Sequence, residues 1–344
     1  MITDKHQILA EININHDAMK NAHEDLKKDE EFAKEVLAIG GLALKDFHKS
    51  IKNNKEICRI ALSSSNGLAI HDCSHDLRKD KEFCKEALSY SGAAFVFFDS
   101  EWENDKGAIL EFLEIKYGIY SMLDFELKKD EEVASKAFKG SGLLLKDAPP
   151  SIKGNEKCVK IAVSNYGMAL EFAEQHLRKD REVVLLAVRQ NGLALQFADE
   201  EWQKDEEVVR EAIASSQGEA LQFADETLKA NPALVLAAIL GRGLAFGGFA
   251  MHSDQSNGNA LRHAHKDLKG NRDFAIAAVS ECGMALDHVD GELKKDRDVV
   301  LAAVRNDGNA IKFADDELQK DSEVKEAALR QIQNAKDRHI NPSL

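Results

Sequence analysis

Apolar residues in this chain fall into two short stripes that recur about every 25 residues. The register is set by an Asp or Asn: Asp29, Asn54, Asp80, Asp105, Asp130, Asn155, Asp180, Asp205, Asn231, Asn271, Asp296 and Asp321. Eight of the eleven steps between these anchors are 25 residues, two are 26 and one is 40. After an anchor, apolar residues stand at offsets +3, +4, +7 and +8, as Val183, Val184, Ala187 and Val188 do after Asp180. Before it they stand at −11, −10, −7 and −3, as Ala194, Leu195, Ala198 and Trp202 do before Asp205. Both sets fit one face of a helix with 3.6 residues per turn, so each repeat is predicted to be two amphipathic helices of about ten residues.

The punctuation supports this reading. Asp or Asn at the anchor suits a helix N-cap, where a side-chain oxygen accepts a backbone N–H that lacks an intrahelical partner. Acidic residues follow in the first turn (Glu131-Glu132, Glu206-Glu207) and Lys or Arg ends the preceding helix, as the helix dipole favours. Pro232 directly follows Asn231, at the one helical position that suits proline. At offset −13, ten of the twelve repeats carry Gly, which reads as the stop of the first helix. The longer steps add residues just before that Gly, at Ser63–Asn66, Ser215–Gln217 and, for the 40-residue step, Gly243–Asn257.

A helix pair this short cannot bury its own apolar stripe, so neighbours must stack. The expected fold is all-α, an α-solenoid of about twelve 25-residue helix pairs. Residues 1–28 read as a degenerate N-terminal capping repeat, 29–330 as a continuous array with a Gly-rich insertion at about 243–257, and 331–344 as a C-terminal tail. Pro149-Pro150 is expected to interrupt a second helix and to set a bend.

Residues Lys179-Asp180-Arg181-Glu182-Val183-Val184 through Gly192-Leu193-Ala194-Leu195 give the unit its clearest form. This unit resembles the tandem repeats of domain of unknown function 4116. The resemblance covers most of the chain, is clearest at 155–205 and 271–321, and is weakest at 105–155. It implies a helical-repeat fold and no particular chemistry. The occurrence of such arrays in intracellular bacteria and some single-celled eukaryotes implies, as an alternative role, a secreted bacterial effector delivered to a host cell.

Composition narrows the partners. The chain has 344 residues, 46 Lys and Arg against 60 Asp and Glu, and a formal net charge of −14. Such acidity argues against a nucleic-acid binder, which normally carries a basic footprint. No stretch approaches the roughly 20 apolar residues of a membrane span. Met1–Asp17 lacks the pattern of a signal peptide, so a cytoplasmic location is expected. Five cysteines at apolar positions read as buried thiols rather than a disulfide framework.

Several constellations are candidates for chemistry. His71 and His75 are one helical turn apart, and His263 and His288 share an offset in consecutive repeats; both pairs are weighed as metal or pH-sensitive sites and read as surface histidines. The insertion offers Arg242, Phe246, Phe249 and Met251 as a partner contact; its glycines lack the strand and the Lys-Ser/Thr of a phosphate loop. Phe172, Phe197, Phe223 and Phe313, with Phe97, share offset −8 and suggest an aromatic ladder. An acidic ridge containing Asp199, Glu200, Asp225 and Glu226 runs beside it. These residues point to a protein partner with a basic or amphipathic surface, bound along an extended face. The expectation is a non-enzymatic scaffold with no catalytic residues, metal or cofactor; the alternative is an effector or regulator that engages its target through the insertion.

Overall fold

The computed structural model describes residues 3–12, 15–241 and 257–340. Among these residues every regular element is helical. The protein is an all-α repeat solenoid, and the chain divides into two compact units, Met1–Ile152 and Lys153–Leu344.

The first half of each repeat forms as its sequence demands. Asp180 accepts the Val183 N–H at 2.9 Å and starts the helix Arg181–Gln190, in which Val183, Val184, Ala187 and Val188 are fully buried. Asp205 does the same through Val208 at 2.9 Å for Glu206–Ser215, and Asn271 through Phe274 at 2.9 Å for Arg272–Glu281. Most of these helices are ten residues long; Lys5–Ile12 and Pro232–Ile239 have eight, and Ser322–Ile340 has nineteen. The anchor series also extends one step earlier than the twelve sites recognised from sequence. Asp4 accepts the His6 N–H at 2.9 Å at the start of Lys5–Ile12, whose Ile8 and Ile12 are buried.

The second half departs from the expected ten-residue helix. Typically it is a 3-10 turn, then two extended residues, then a single α-turn: Gly192–Phe197, Ala198 (φ −69, ψ 155) with Asp199 (φ −62, ψ 152), and Glu200–Gln203. In most repeats the side chain at −6 caps the following turn and so competes with helix continuation; at Glu174, which makes no cap bond, the break is there all the same. Asp199 accepts the Glu201 N–H at 3.4 Å, Ser74 that of Leu77 at 3.4 Å, and Asp225 that of Thr227 at 3.0 Å. Pro149 and Pro150 therefore interrupt nothing. They occupy the cap and first position of the one-turn helix Pro150–Lys153, where every repeat already breaks.

Within each unit the capped helices pack side by side in sequence order, and the 3-10 turns form a second row. Two contacts fix the spacing. The N–H at −6 donates to the carbonyl at −2 of the preceding repeat, as from Ser74 to Lys52 at 2.9 Å and from Asp225 to Gln203 at 2.9 Å. At −13 the glycine lies against the helix of the next layer: a Cβ on Gly192 would collide with the Ala212 carbonyl, and one on Gly167 with that of Ala187. The glycine is thus required for close approach rather than for a left-handed stop. Of the glycines at −13, Gly67 (φ 82) and Gly218 (φ 94), next to Asn66 (φ 52) and Gln217 (φ 53), are left-handed, and there the pair absorbs the extra residue of the 26-residue steps.

Candidate functional site

The insertion residues Arg242, Phe246, Phe249 and Met251 lie outside the described residues. The segment ends at Asn257, whose side-chain amide donates to the Gln217 carbonyl at 3.0 Å and to Glu219 at 2.9 Å.

Phe172, Phe197, Phe223 and Phe313 each close a 3-10 turn, and all four are half-buried. The turns ending at Phe172, Phe197 and Phe223 pack in succession within the second unit. The ring pairs among the described residues lie elsewhere, so these phenylalanines are spaced points rather than a stacked ladder. The acidic ridge divides by role. Asp199 and Asp225 are turn caps, and Asp225 also accepts the Thr227 hydroxyl at 2.7 Å. Glu200 and Glu226 are exposed, and Glu226 pairs with Lys229 at 2.9 Å.

The first histidine pair takes different partners, while His263 still feels the charge of His288. His71 lies edge-on to Phe97 with ring centroids 5.0 Å apart and pairs with Asp72 at 2.9 Å, whereas His75 pairs with Asp99 at 2.9 Å. His288 contacts Asn259 at 3.1 Å, and His263 contacts Arg262 at 3.0 Å. Burial and then Arg262 hold His263 below the usual imidazole value; burial does the same to His288. Among the described residues no three His, Cys, Asp or Glu side chains are grouped to hold a metal. All five cysteines are buried, and burial pushes the Cys84 thiol up to about 12, away from thiolate chemistry at neutral pH.

The basic residues at −2 have a use that the sequence reading did not assign. In five of the twelve repeats the side chain reaches back seven residues and donates to the carbonyl at −9, closing the 3-10 turn onto the turn that follows. Lys128 does so to Ser121 at 2.8 Å, Lys269 to Arg262 at 3.2 Å, Lys294 to Asp287 at 2.7 Å, and Gln319 to Lys312 at 3.3 Å. Lys52 makes the same contact to Lys45 at 2.5 Å. Position −2 is Lys, Arg or Gln in eleven of the twelve repeats, and Glu103 is the exception.

A cleft of about 330 Å³ opens at that exception, between the turns of two adjacent repeats of the first unit. Phe95, Phe98, Trp102, Met122 and Leu123 line it, and Asp99, Glu103 and Asp124 bring carboxylates. Its floor is an aromatic cluster around fully buried Phe112, with Phe98 at 5.5 Å, Trp102 at 5.9 Å and Phe95 at 6.4 Å between ring centroids. Phe112 stands at +7, where ten of the twelve repeats have Ala. Both departures are legible in the aligned register: one offset that is otherwise basic or amide, and one that is otherwise small.

The sequence matches the family described as a domain of unknown function (DUF4116) in seven stretches: residues 29–78, 64–103, 130–178, 155–203, 180–216, 255–294 and 296–335. No curated protein and no solved structure matches the chain.

Proposed function

Because this chain belongs to that family of tandem helical repeats, whose description assigns no activity, we propose that it is a non-enzymatic scaffold. Its partner is a protein with a basic or amphipathic segment, bound along the face that carries Phe172, Phe197 and Phe223. The observation behind this reading is repetition: three consecutive turns present the same half-buried ring beside exposed carboxylates such as Glu200 and Glu226. A ring half in water offers apolar area without unfolding anything, and fixed carboxylates at its edge select for positive charge. An extended array gathers many such weak contacts along one segment.

The test is cross-linking of the full chain to a captured partner, followed by mapping of the cross-links. They should cluster beside Phe172, Phe197 and Phe223, and the triple substitution to Ser should lose the partner while keeping the helical circular dichroism. Retention by the triple variant, with loss on deletion of residues 243–257, would move recognition to the insertion and overturn this assignment.

A further inference from the structure

The cleft at Glu103 is not part of that face, and its shape has an internal explanation. Three features that close regular layers are missing around it. The +7 residue is Phe112, and a Cβ on Gly92 would find nothing nearer than Lys116 and Ile119, at 3.9 and 4.0 Å. Among the described residues, the Asp124 N–H makes no bond to the Glu103 carbonyl, although the equivalent bond joins Ser74 to Lys52 and Asp99 to Arg78. At −2, Glu103 has no proton to donate to the Val96 carbonyl. Among the described residues that carbonyl receives no donor, and the Glu103 carboxylate has neither a hydrogen bond nor an ion pair.

The sister repeats say what chemistry the space suits. At Lys52, Lys128, Lys269 and Lys294 the same position is filled by a lysine whose ammonium meets the −9 carbonyl. In the open layer that carbonyl remains, the lysine is missing, and a carboxylate stands in its place beside an apolar wall of Phe98, Trp102 and Leu123. A lysine arriving from outside would lay its methylenes on that wall and place its ammonium between Glu103 and the Val96 carbonyl. The other two carboxylates already have contacts, Asp99 with His75 at 2.9 Å and Lys79 at 3.8 Å and Asp124 with the Leu127 N–H at 2.8 Å, and they add negative potential that favours a cation.

We propose that the cleft between Phe95 and Asp124 receives a lysine side chain from a basic segment of a protein partner, supplying in trans the contact that other repeats make with their own lysine. This rests on the reading of the chain as a protein-binding array, but it uses a different surface.

The experiment follows Trp102 fluorescence in the full chain, with Trp202→Phe to remove the other tryptophan. The probe is an acetylated, amidated nonapeptide with one central Lys flanked by Leu, against the same peptide with norleucine. The lysine peptide should give saturable quenching or enhancement, weakened at least tenfold by norleucine and several-fold by Glu103→Gln. Glu103→Lys should abolish it while melting at or above the parent temperature, because the internal contact is restored. Equal binding by the norleucine peptide, by Glu103→Lys, or by n-butylammonium alone would overturn the proposal. A negative peptide result with a partner still lost on substitution of Phe172, Phe197 and Phe223 defeats the cleft and spares the scaffold.

Discussion

At Gly192 the next helix comes so close that its Ala212 carbonyl fills the space a side chain would need, whereas at Gly92 the nearest atoms stand 3.9 and 4.0 Å from a Cβ position. The two glycines hold the same place in their repeats and meet different neighbours because +7 is Ala212 in one layer and Phe112 in the other. Close approach and the −6 to −2 bond are separate features of a layer: Asp99 still donates to the Arg78 carbonyl at 3.4 Å in the repeat of Gly92, and the bond is missing one repeat later, at Asp124.

The largest test of this contrast is Phe112→Ala. Phe112 is fully buried and is the ring against which Phe95, Phe98 and Trp102 pack, so its loss should cost about 3–5 kcal/mol. Urea unfolding followed through Trp102, with Trp202→Phe, measures it; a loss below about 1 kcal/mol would mean that the layer recloses around the small side chain. Next comes the paired glycine test. Gly192→Ala forces a carbonyl aside and should cost about 1–3 kcal/mol, while Gly92→Ala should change the unfolding free energy by no more than about 0.5 kcal/mol. Equal costs at the two sites would break the comparison outright. Asp180→Ala removes a cap from a regular layer and should cost about 1 kcal/mol, with Asp180→Asn nearly neutral because Asn caps the same turn at Asn155.

The smallest effect is in pH. Lys5 beside Asp29, together with the Phe32 N–H, holds that carboxyl below its ordinary range, and Arg272 beside Asp296 does the same. A carboxyl lowered in the folded state adds stability above its unfolded value near 3.9 and loses it as pH falls through the folded value. Melting temperature should therefore drop on acidification below about pH 4, and Asp29→Asn with Asp296→Asn should flatten that drop by a fraction of a kcal/mol per site. An unchanged slope in the double variant would assign the acid sensitivity to other carboxylates.

Much of this was legible in the chain. The anchors and the +3, +4, +7, +8 stripe gave helix starts, lengths and buried faces, because capping and burial act through single residues at fixed spacing. The broken second half was hidden because Ala194, Leu195, Ala198 and Trp202 keep a helix-like spacing across two extended residues, and spacing alone does not separate one helix from two turns. Asp4 was missed although it stands 25 residues before Asp29, since Gln7 and Glu11 dilute the stripe around Ile8 and Ile12. Phe97, Phe172, Phe197, Phe223 and Phe313 were correctly aligned with one another, but half-burial at −8 depends on the neighbouring turn, which no single repeat encodes. Glu103 and Phe112 were readable as exceptions only once the structure showed what Lys at −2 and Ala at +7 accomplish.

The stitch from −6 to −2 has a consequence for how such an array tolerates change. It joins main chain to main chain, so replacement of side chains leaves its donor and acceptor in place, and proline alone deletes the donor chemically. At Pro149 that deletion has happened, and the Tyr120 hydroxyl takes over the Lys128 carbonyl at 2.9 Å. Lettering on the outside of each layer is therefore free to drift toward new ligands, while the seam that registers one layer on the next is copied by the backbone itself.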